Sequence, residues 1–171
     1  MKKVKVGIIG CGMITARRHA PEYTDNPNSE VIALYDFDQE RAKELAVGYG
    51  AKVYATVEEL IADPEIDAVS ICSPNNTHAP YSIMALEAGK HVLCEKPMAL
   101  ELEDTRRMME AAEKSGKILM IGHNQRLLPT HRKARELLQS GMIGNILSIQ
   151  SNFRHRGPEY WSVNRSNSTW F

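Results

Sequence analysis

The stretch that decides the fold class lies near the start of the chain and reads Val4-Lys5-Val6-Gly7-Ile8-Ile9-Gly10-Cys11-Gly12-Met13-Ile14-Thr15. Its first six residues form a short β-rich run that stops at Gly10, and a helical stretch from about Met13 to Tyr23 follows. The order of strand, tight turn and helix predicts the opening unit of an α/β fold.

The same alternation continues downstream of this unit. Apolar runs predict further strands at 30–35, 52–54, 68–72, 91–94 and 118–121. Capping residues and glycine stops predict helices at 39–47, from 57 to near 63, and at 77–88, 102–114 and 129–139. Strands that alternate with helices through residue 122 predict right-handed crossovers and a Rossmann-type, doubly wound parallel sheet.

The glycine turn after the first strand predicts a dinucleotide site, because it follows a strand and opens a helix. Gly10 permits the tight turn, and Gly12 lets the backbone approach a pyrophosphate. Met13 and Ile14 begin the helix, whose N-terminus offers amides and a positive dipole to an anion. Thr15 stands where a third glycine or alanine is usual, so we expect the helix to lie slightly further from the sheet. A purely structural turn would use the same two glycines.

Asp36 strengthens the dinucleotide hypothesis. It ends the second predicted strand, where a carboxylate can accept hydrogen bonds from both hydroxyls of the adenosine ribose. The alternative is a helix N-cap, but Asp38 already fits that role. A carboxylate would repel a 2′-phosphate and no Arg follows Asp36 immediately, so NAD is favoured over NADP.

Three polar loops follow the later strands, at the edge where open α/β sheets bind ligands. They are Ser73-Pro74-Asn75-Asn76-Thr77-His78, Glu95-Lys96-Pro97 and His123-Asn124-Gln125-Arg126. Lys96 is the candidate catalytic residue, because an ammonium beside a nicotinamide could hydrogen-bond a substrate hydroxyl and stabilise developing charge. The alternative for Lys96 is a solvated side chain paired with Glu95.

These motifs, in this order, resemble a known family. The resemblance rests on the Gly10 turn, the Ser73 loop, the run from Ala85 to Val92, Glu95-Lys96-Pro97, Arg126 with Pro129, and the turn from Ser140 to Gly144. Together they resemble the glucose-fructose oxidoreductase, inositol dehydrogenase and rhizopine-catabolism family (Gfo/Idh/MocA). The resemblance implies NAD(P)-dependent oxidoreduction of a sugar or cyclic polyol, with Lys96 at the active site and Asp36 on the ribose.

The motifs and the resemblance together give the expected site. The expected cofactor-binding residues are Gly10, Gly12, Met13, Ile14, Asp36, Ser73, Pro74, Asn75, His78, Glu95, Lys96 and Asn124. Arg126 and His155 are candidate substrate residues, although His155 would also fit a solvated position after a strand. The six His residues show no ligand spacing, so no metal is expected.

The domain organisation departs from the family at the end of the sequence. Residues 1–122 are the expected NAD(P)-binding domain, 123–144 a connecting segment with a helix, and 145–171 the start of a truncated second α/β domain that opens with one strand over 145–153. Family members carry a complete second domain, which supplies an Asp and a His for substrate binding and proton transfer. The expectation is therefore a cofactor-binding portion of an oxidoreductase, and the alternative is a non-catalytic NAD-binding module or redox sensor.

Composition narrows the partners. The chain carries 21 Lys and Arg against 21 Asp and Glu, so it has no basic footprint for nucleic acid. Its longest apolar runs are far shorter than the roughly 20 residues of a membrane span, and a cytoplasmic location is expected. A small molecule is the expected partner. An unpaired strand over 145–153 would favour a homo-oligomer.

Overall fold

The computed structural model describes residues 2–152 and 154, and its centre is a six-stranded parallel sheet. The strands are β1 Val4–Ile9, β2 Ser29–Tyr35, β3 Lys52–Val53, β4 Ala68–Ile71, β5 His91–Cys94 and β6 Leu119–Ile121. Their order in the sheet is β3-β2-β1-β4-β5-β6, and every neighbouring pair is parallel. The Rossmann-type, doubly wound fold class is confirmed.

Helices connect the strands. They are α1 Ala20–Asp25, α2 Gln39–Val47, α3 Val57–Ala62, α4 His78–Glu87, α5 Leu102–Ser115 and α6 Pro129–Gln139. The predicted cap of α2 is confirmed, because the Asp38 side chain accepts from the Arg41 N–H, and α3 is capped in the same way by Thr56, which accepts from the Glu59 N–H. Within the described residues, no helix is long and apolar enough to cross a bilayer.

The core lies on both faces of the sheet, with β1 at its centre. Ile8 and Ile9 are adjacent in sequence and point to opposite faces, and neither has any exposed surface. Ile9 packs in a cluster with Leu86 and Met108, while Ile8 packs in a second cluster with Leu34 and Ala42. Burial on both faces explains why the central strands are continuous apolar runs.

The first helix starts differently from a regular α-helix. Residues Thr15–His19 form a π-helical turn that runs directly into α1. Thr15 is fully buried, and its hydroxyl donates to the Gly10 carbonyl oxygen. The hydroxyl group, which glycine and alanine both lack, thereby ties this turn to the end of β1.

The chain after β6 is exposed, and the strand expected over 145–153 is wrong for residues 145–152. These residues have no regular structure, and Leu147 and Ile149 are 95% and 79% exposed. Alternating apolar residues form a strand only beside a hydrogen-bonding neighbour, and none of the described strands pairs with them. Phe153 lies outside the described residues. The boundaries at 122 and 144 stay predictions.

Exposed apolar side chains in this segment predict self-association. We expect the purified chain to form dimers or larger species at micromolar concentration, because Leu147 and Ile149 gain burial when a second copy covers them. Sedimentation velocity over a concentration series measures this. The double variant Leu147→Lys, Ile149→Lys should sediment as a monomer. A wild-type chain that stays monomeric across the series would contradict the prediction.

Candidate active site

The residues expected to form the site follow the carboxyl ends of five strands. Gly10 and Gly12 follow β1, Asp36 follows β2, the loop from Ser73 to His78 follows β4, Glu95 and Lys96 follow β5, and Asn124 follows β6. Because all of these strands are parallel, their carboxyl ends lie at one edge of the sheet. The fold thus gathers residues that are far apart in sequence.

Gly10 and Gly12 differ in what surrounds them. Gly10 has φ of 96°, and a Cβ there would lie 2.7 Å from the backbone C and O atoms of Cys72 and from the Ser73 backbone N. Gly10 therefore lets the turn after β1 pack directly on the turn after β4. A Cβ at Gly12 would meet no atom of the described chain within 4 Å. The space beside Gly12 and the start of its helix fits a pyrophosphate.

Backbone N–H groups hold the Asp36 carboxylate at the end of β2. Oδ2 accepts from the Cys11 N–H at 2.6 Å, and Oδ1 accepts from the Asp38 N–H at 2.9 Å. The residue is only 4% exposed. Each carboxylate oxygen can accept about two hydrogen bonds, so Asp36 keeps acceptor capacity for ribose hydroxyls. The helix-cap alternative is excluded for Asp36, because Asp38 caps α2.

Arg41 approaches Asp36, and inspection of the sequence missed it. Its guanidinium Nη1 lies 3.5 Å from Asp36 Oδ1, while Nη2 lies 3.0 Å from Asp38 Oδ2. The guanidinium also lies 5.9 Å from the centre of the exposed Phe37 ring. Arg41 lies near Asp36 because α2 begins directly after Asp38, and the first turn of this helix brings the Arg41 side chain back toward the end of β2. A cation here would offset part of the repulsion between Asp36 and a 2′-phosphate.

His78 connects the loops after β4 and β5. The side chain is almost fully buried, with Nδ1 at 2.7 Å from the Pro97 carbonyl oxygen and Nε2 at 2.9 Å from the Ser73 carbonyl oxygen. Within the first of these loops, the Ser73 and Thr77 hydroxyls lie 2.6 Å apart, and Asn75 is buried. His78 therefore fixes the distance between the loop after β4 and the loop after β5, which carries Lys96.

Glu95 pairs with His19 of the π-helical turn. His19 Nε2 lies 3.0 Å from Glu95 Oε1, and Glu95 Oε2 accepts from the Lys96 N–H at 3.1 Å. Burial lowers the pKa of His19, but the electrostatic interactions with Cys72 and Glu95 outweigh it and raise the pKa to about 10. Burial raises the pKa of Glu95, but the hydrogen bond to His19 outweighs it, so the pKa falls below its usual value. The pair is therefore ionic at neutral pH.

The Lys96 side chain is exposed, with no carboxylate oxygen within 4.0 Å of its Nζ in the described part of the chain. Lys96 is therefore solvated, as its alternative reading holds, while the Glu95 carboxylate makes its close ion pair with His19 instead of with Lys96. The Lys96 ammonium reaches solvent at the sheet edge, where a ligand could meet it.

Asn124 and Arg126 lie on an exposed 3₁₀ turn, Asn124–Leu127, after β6. Arg126 lines a cavity of about 470 Å³ together with Gln125, His131 and Arg135, the last two from α6. In the described part of the chain no hydrogen bond joins Arg126 to Lys96, so the structure does not bring these two predicted residues into direct contact. His155 lies outside the described residues.

Other titratable groups at this edge are less reactive. Burial raises the pKa of the Cys11 and Cys94 thiols to about 12, so both stay protonated at neutral pH. Across residues 2–152 and 154, no three His, Cys, Asp or Glu side chains are close enough to hold a metal ion.

Several known proteins are similar to this chain in sequence or in structure. Myo-inositol 2-dehydrogenase from Thermotoga maritima is 37% identical over 151 residues, which are 86% of this chain and 45% of that protein. The WlbA dehydrogenase from Bordetella pertussis, solved with NADH and UDP-GlcNAcA, superposes with a TM-score of 0.80 at 26% identity and covers 84% of this chain and 41% of its own. A 3-ketoreductase variant from Actinomadura kijaniata, solved with TDP-benzene and NADP, has a TM-score of 0.77 at 33% identity and covers 85% and 46%.

The chain spans less than half the length of these relatives. Over that span, residues 4–123 match the sequence profile of the Gfo/Idh/MocA oxidoreductase family, NAD-binding Rossmann fold. All six strands, the glycine turn and the polar loops after β4 and β5 lie within the matched residues, while Asn124 and Arg126 lie just beyond them. The chain belongs to the Gfo/Idh/MocA family of NAD(P)-dependent oxidoreductases.

Proposed function

We propose that this chain is the cofactor-binding portion of a sugar or polyol dehydrogenase that transfers hydride between a carbinol carbon and a nicotinamide. The observation that carries the proposal is the meeting of three features at one sheet edge. They are the open space at Gly12, the buried carboxylate of Asp36 and the exposed ammonium of Lys96. Along the edge, Asp36 follows β2, Gly12 follows β1 and Lys96 follows β5, which is the order that an adenosine ribose, a pyrophosphate and a substrate hydroxyl need.

The residues present fit a dinucleotide. The helix start at Gly12, Met13 and Ile14 would hold the pyrophosphate, and Asp36 would accept from the adenosine ribose. The nicotinamide end of the dinucleotide would be lined by Ser73, Pro74, Asn75, Glu95 and Asn124. The bound nicotinamide would supply the hydride acceptor or donor.

Lys96 would act on the substrate rather than on the cofactor. Its ammonium would donate a hydrogen bond to the reacting hydroxyl and stabilise the negative charge that develops on that oxygen. His78 and Glu95 would hold the loop that carries Lys96. Arg126, in its cavity with His131 and Arg135, would bind anionic or hydroxyl groups of the substrate.

A second candidate is a non-catalytic NAD-binding module or redox sensor. The site as described favours it, because the exposed Lys96 ammonium has no carboxylate partner within 4.0 Å among the described residues. An NAD titration beside a turnover assay on a panel of sugars and inositols separates the two. For a module of this kind we expect NAD binding with very little turnover. Turnover at an ordinary enzymatic rate would reject the module.

Cofactor preference is the sharpest test of Asp36. We expect NAD to bind about tenfold more tightly than NADP, because a carboxylate near a 2′-phosphate costs roughly 1 to 3 kcal/mol and Arg41 offsets part of it. Calorimetric titration of both cofactors measures the ratio. Asp36→Ala should bring the two affinities together.

The matched control is Arg41→Ala, which should widen the NAD preference by removing the cation beside Asp36. Equal or tighter binding of NADP to the unaltered chain would remove Asp36 from its assigned role.

A further inference from the structure

A polar cluster is buried beneath the proposed site, between the first helix and the ends of β4 and β5. His19 is at its centre, with Nδ1 at 2.9 Å from the Ser70 hydroxyl and Nε2 at 3.0 Å from Glu95 Oε1. The His19 and Glu95 side chains are 10% and 16% exposed. Both ring nitrogens therefore have partners, and the pair is nearly closed to solvent.

A buried ion pair of this kind is poorly explained by stability alone. Removing two charges from water costs several kcal/mol per ion, and well-packed apolar residues often do as well or better. Glu95 is further confined by Gly122, where an added Cβ would lie 3.3 Å from the Glu95 carboxyl carbon. The Glu95 carboxylate therefore has His19 on one side and the Gly122 backbone on another, which restricts its orientation.

The position of the pair in the fold indicates a use for it. His19 ends the π-helical turn that follows the Gly12 space, and Glu95 directly precedes Lys96. Glu95 uses its other oxygen, Oε2, to accept from the Lys96 N–H. A path of two hydrogen bonds therefore links the helix of the proposed pyrophosphate site to the backbone of Lys96.

We propose that His19 is a positioning residue for Lys96: it orients the Glu95 carboxylate, which fixes the Lys96 backbone and ties it to the helix that starts at the glycine turn. The proposal rests on the proposed function only in the use it gives to Lys96. The geometric part, His19 holding Lys96 through Glu95, can be tested with no cofactor present.

The first test reads the Lys96 N–H directly by hydrogen exchange in the cofactor-free chain. His19→Leu should speed exchange of this amide about five- to tenfold, since its acceptor is no longer held in place. His19→Gln should restore most of the protection, because a Gln side-chain N–H can donate from near the position of Nε2. Arg18→Leu, at an exposed residue next to His19 that pairs only with Glu22 among the described residues, is the matched control and should leave exchange of the Lys96 amide unchanged. Unchanged protection in His19→Leu would overturn the proposal.

A second measurement tests the proposal without the His19→Leu variant, in case that variant fails to fold. In the wild-type chain, NMR titration of the His19 ring should show a midpoint near the pKa of about 10. Glu95→Gln should move that midpoint down by at least one pH unit, since the anionic partner is lost. An unmoved midpoint would show that Glu95 does not hold His19, and would equally overturn the proposal.

A titration with NAD separates this proposal from the proposed function. NAD should shift the Lys96 amide resonance in the wild-type chain and in His19→Gln, and the shift should shrink at least about threefold in His19→Leu at saturating NAD. A full shift in His19→Leu would overturn the link to the glycine turn. If the wild-type chain bound no NAD, the proposed function would fail, while the exchange experiment would still decide the role of His19.

Discussion

Gly12→Val should abolish measurable dinucleotide binding and leave the chain folded. A valine side chain would enter the space that the pyrophosphate needs, at the one point where the backbone must approach it closely. That space is open in the protein itself, since a Cβ there meets no described atom within 4 Å. Calorimetry with NAD should show at least about a 100-fold loss of affinity, with chemical denaturation showing a change below about 1 kcal/mol.

Gly10→Ala is the matched control. It alters the same turn, but we expect it to lower the stability of the fold, whereas Gly12→Val should lower only the affinity for the dinucleotide. The Gly10 φ of 96° and a Cβ 2.7 Å from the Cys72 backbone would force the β1 and β4 turns apart. We expect a loss of about 2 to 4 kcal/mol in the free energy of unfolding. Native NAD affinity in folded Gly12→Val would show that the turn is only structural.

Lys96→Ala should lower the rate of hydride transfer by about 100-fold or more and change NAD affinity less than about threefold. The rate falls because the donor to the developing alkoxide is lost, and losses of this size follow removal of one such donor elsewhere. Affinity is kept because Lys96 is placed on the substrate side. Single-turnover kinetics in a form of the protein that turns over substrate measures the first quantity, and calorimetry measures the second.

Lys96→Met serves as the control for side-chain length, since it keeps a long flexible side chain without the charge. Both variants should lose rate to a similar extent. A rate within a few-fold of the parent in Lys96→Ala would remove the catalytic role from Lys96.

Much of the fold could be predicted because the deciding signals are local. Strand β5 and helix α6 have the predicted bounds, since an apolar run between glycine and polar residues, and a proline start with a glycine stop, are read within one element. The shared edge of the polar loops also followed, because parallel strands leave no other arrangement.

The remaining features depend on neighbours that the sequence does not show. His19 and Glu95 are 76 positions apart, and no spacing rule joins a helix residue to a residue beyond β5. Arg41 reaches Asp36 only because a helix turn intervenes, although the three-residue step from the Asp38 cap offered a signal. The strand over 145–152 was predicted from alternation alone, and alternation becomes a strand only where a partner strand pairs with it.

His78 has a consequence for protein engineering. Its imidazole contacts both the Ser73 and the Pro97 carbonyl oxygens, so the loops after β4 and β5 are held together and depend on each other for their positions. Suppose that Glu95-Lys96-Pro97 were grafted alone onto another nucleotide-binding scaffold. The Pro97 carbonyl oxygen would then lose its His78 contact, and the loop that carries the lysine would no longer be held in a fixed position. A graft that carries the segment from Ser73 to His78 as well would keep both His78 contacts, and a partner for Glu95 in place of His19 would complete the support of the lysine.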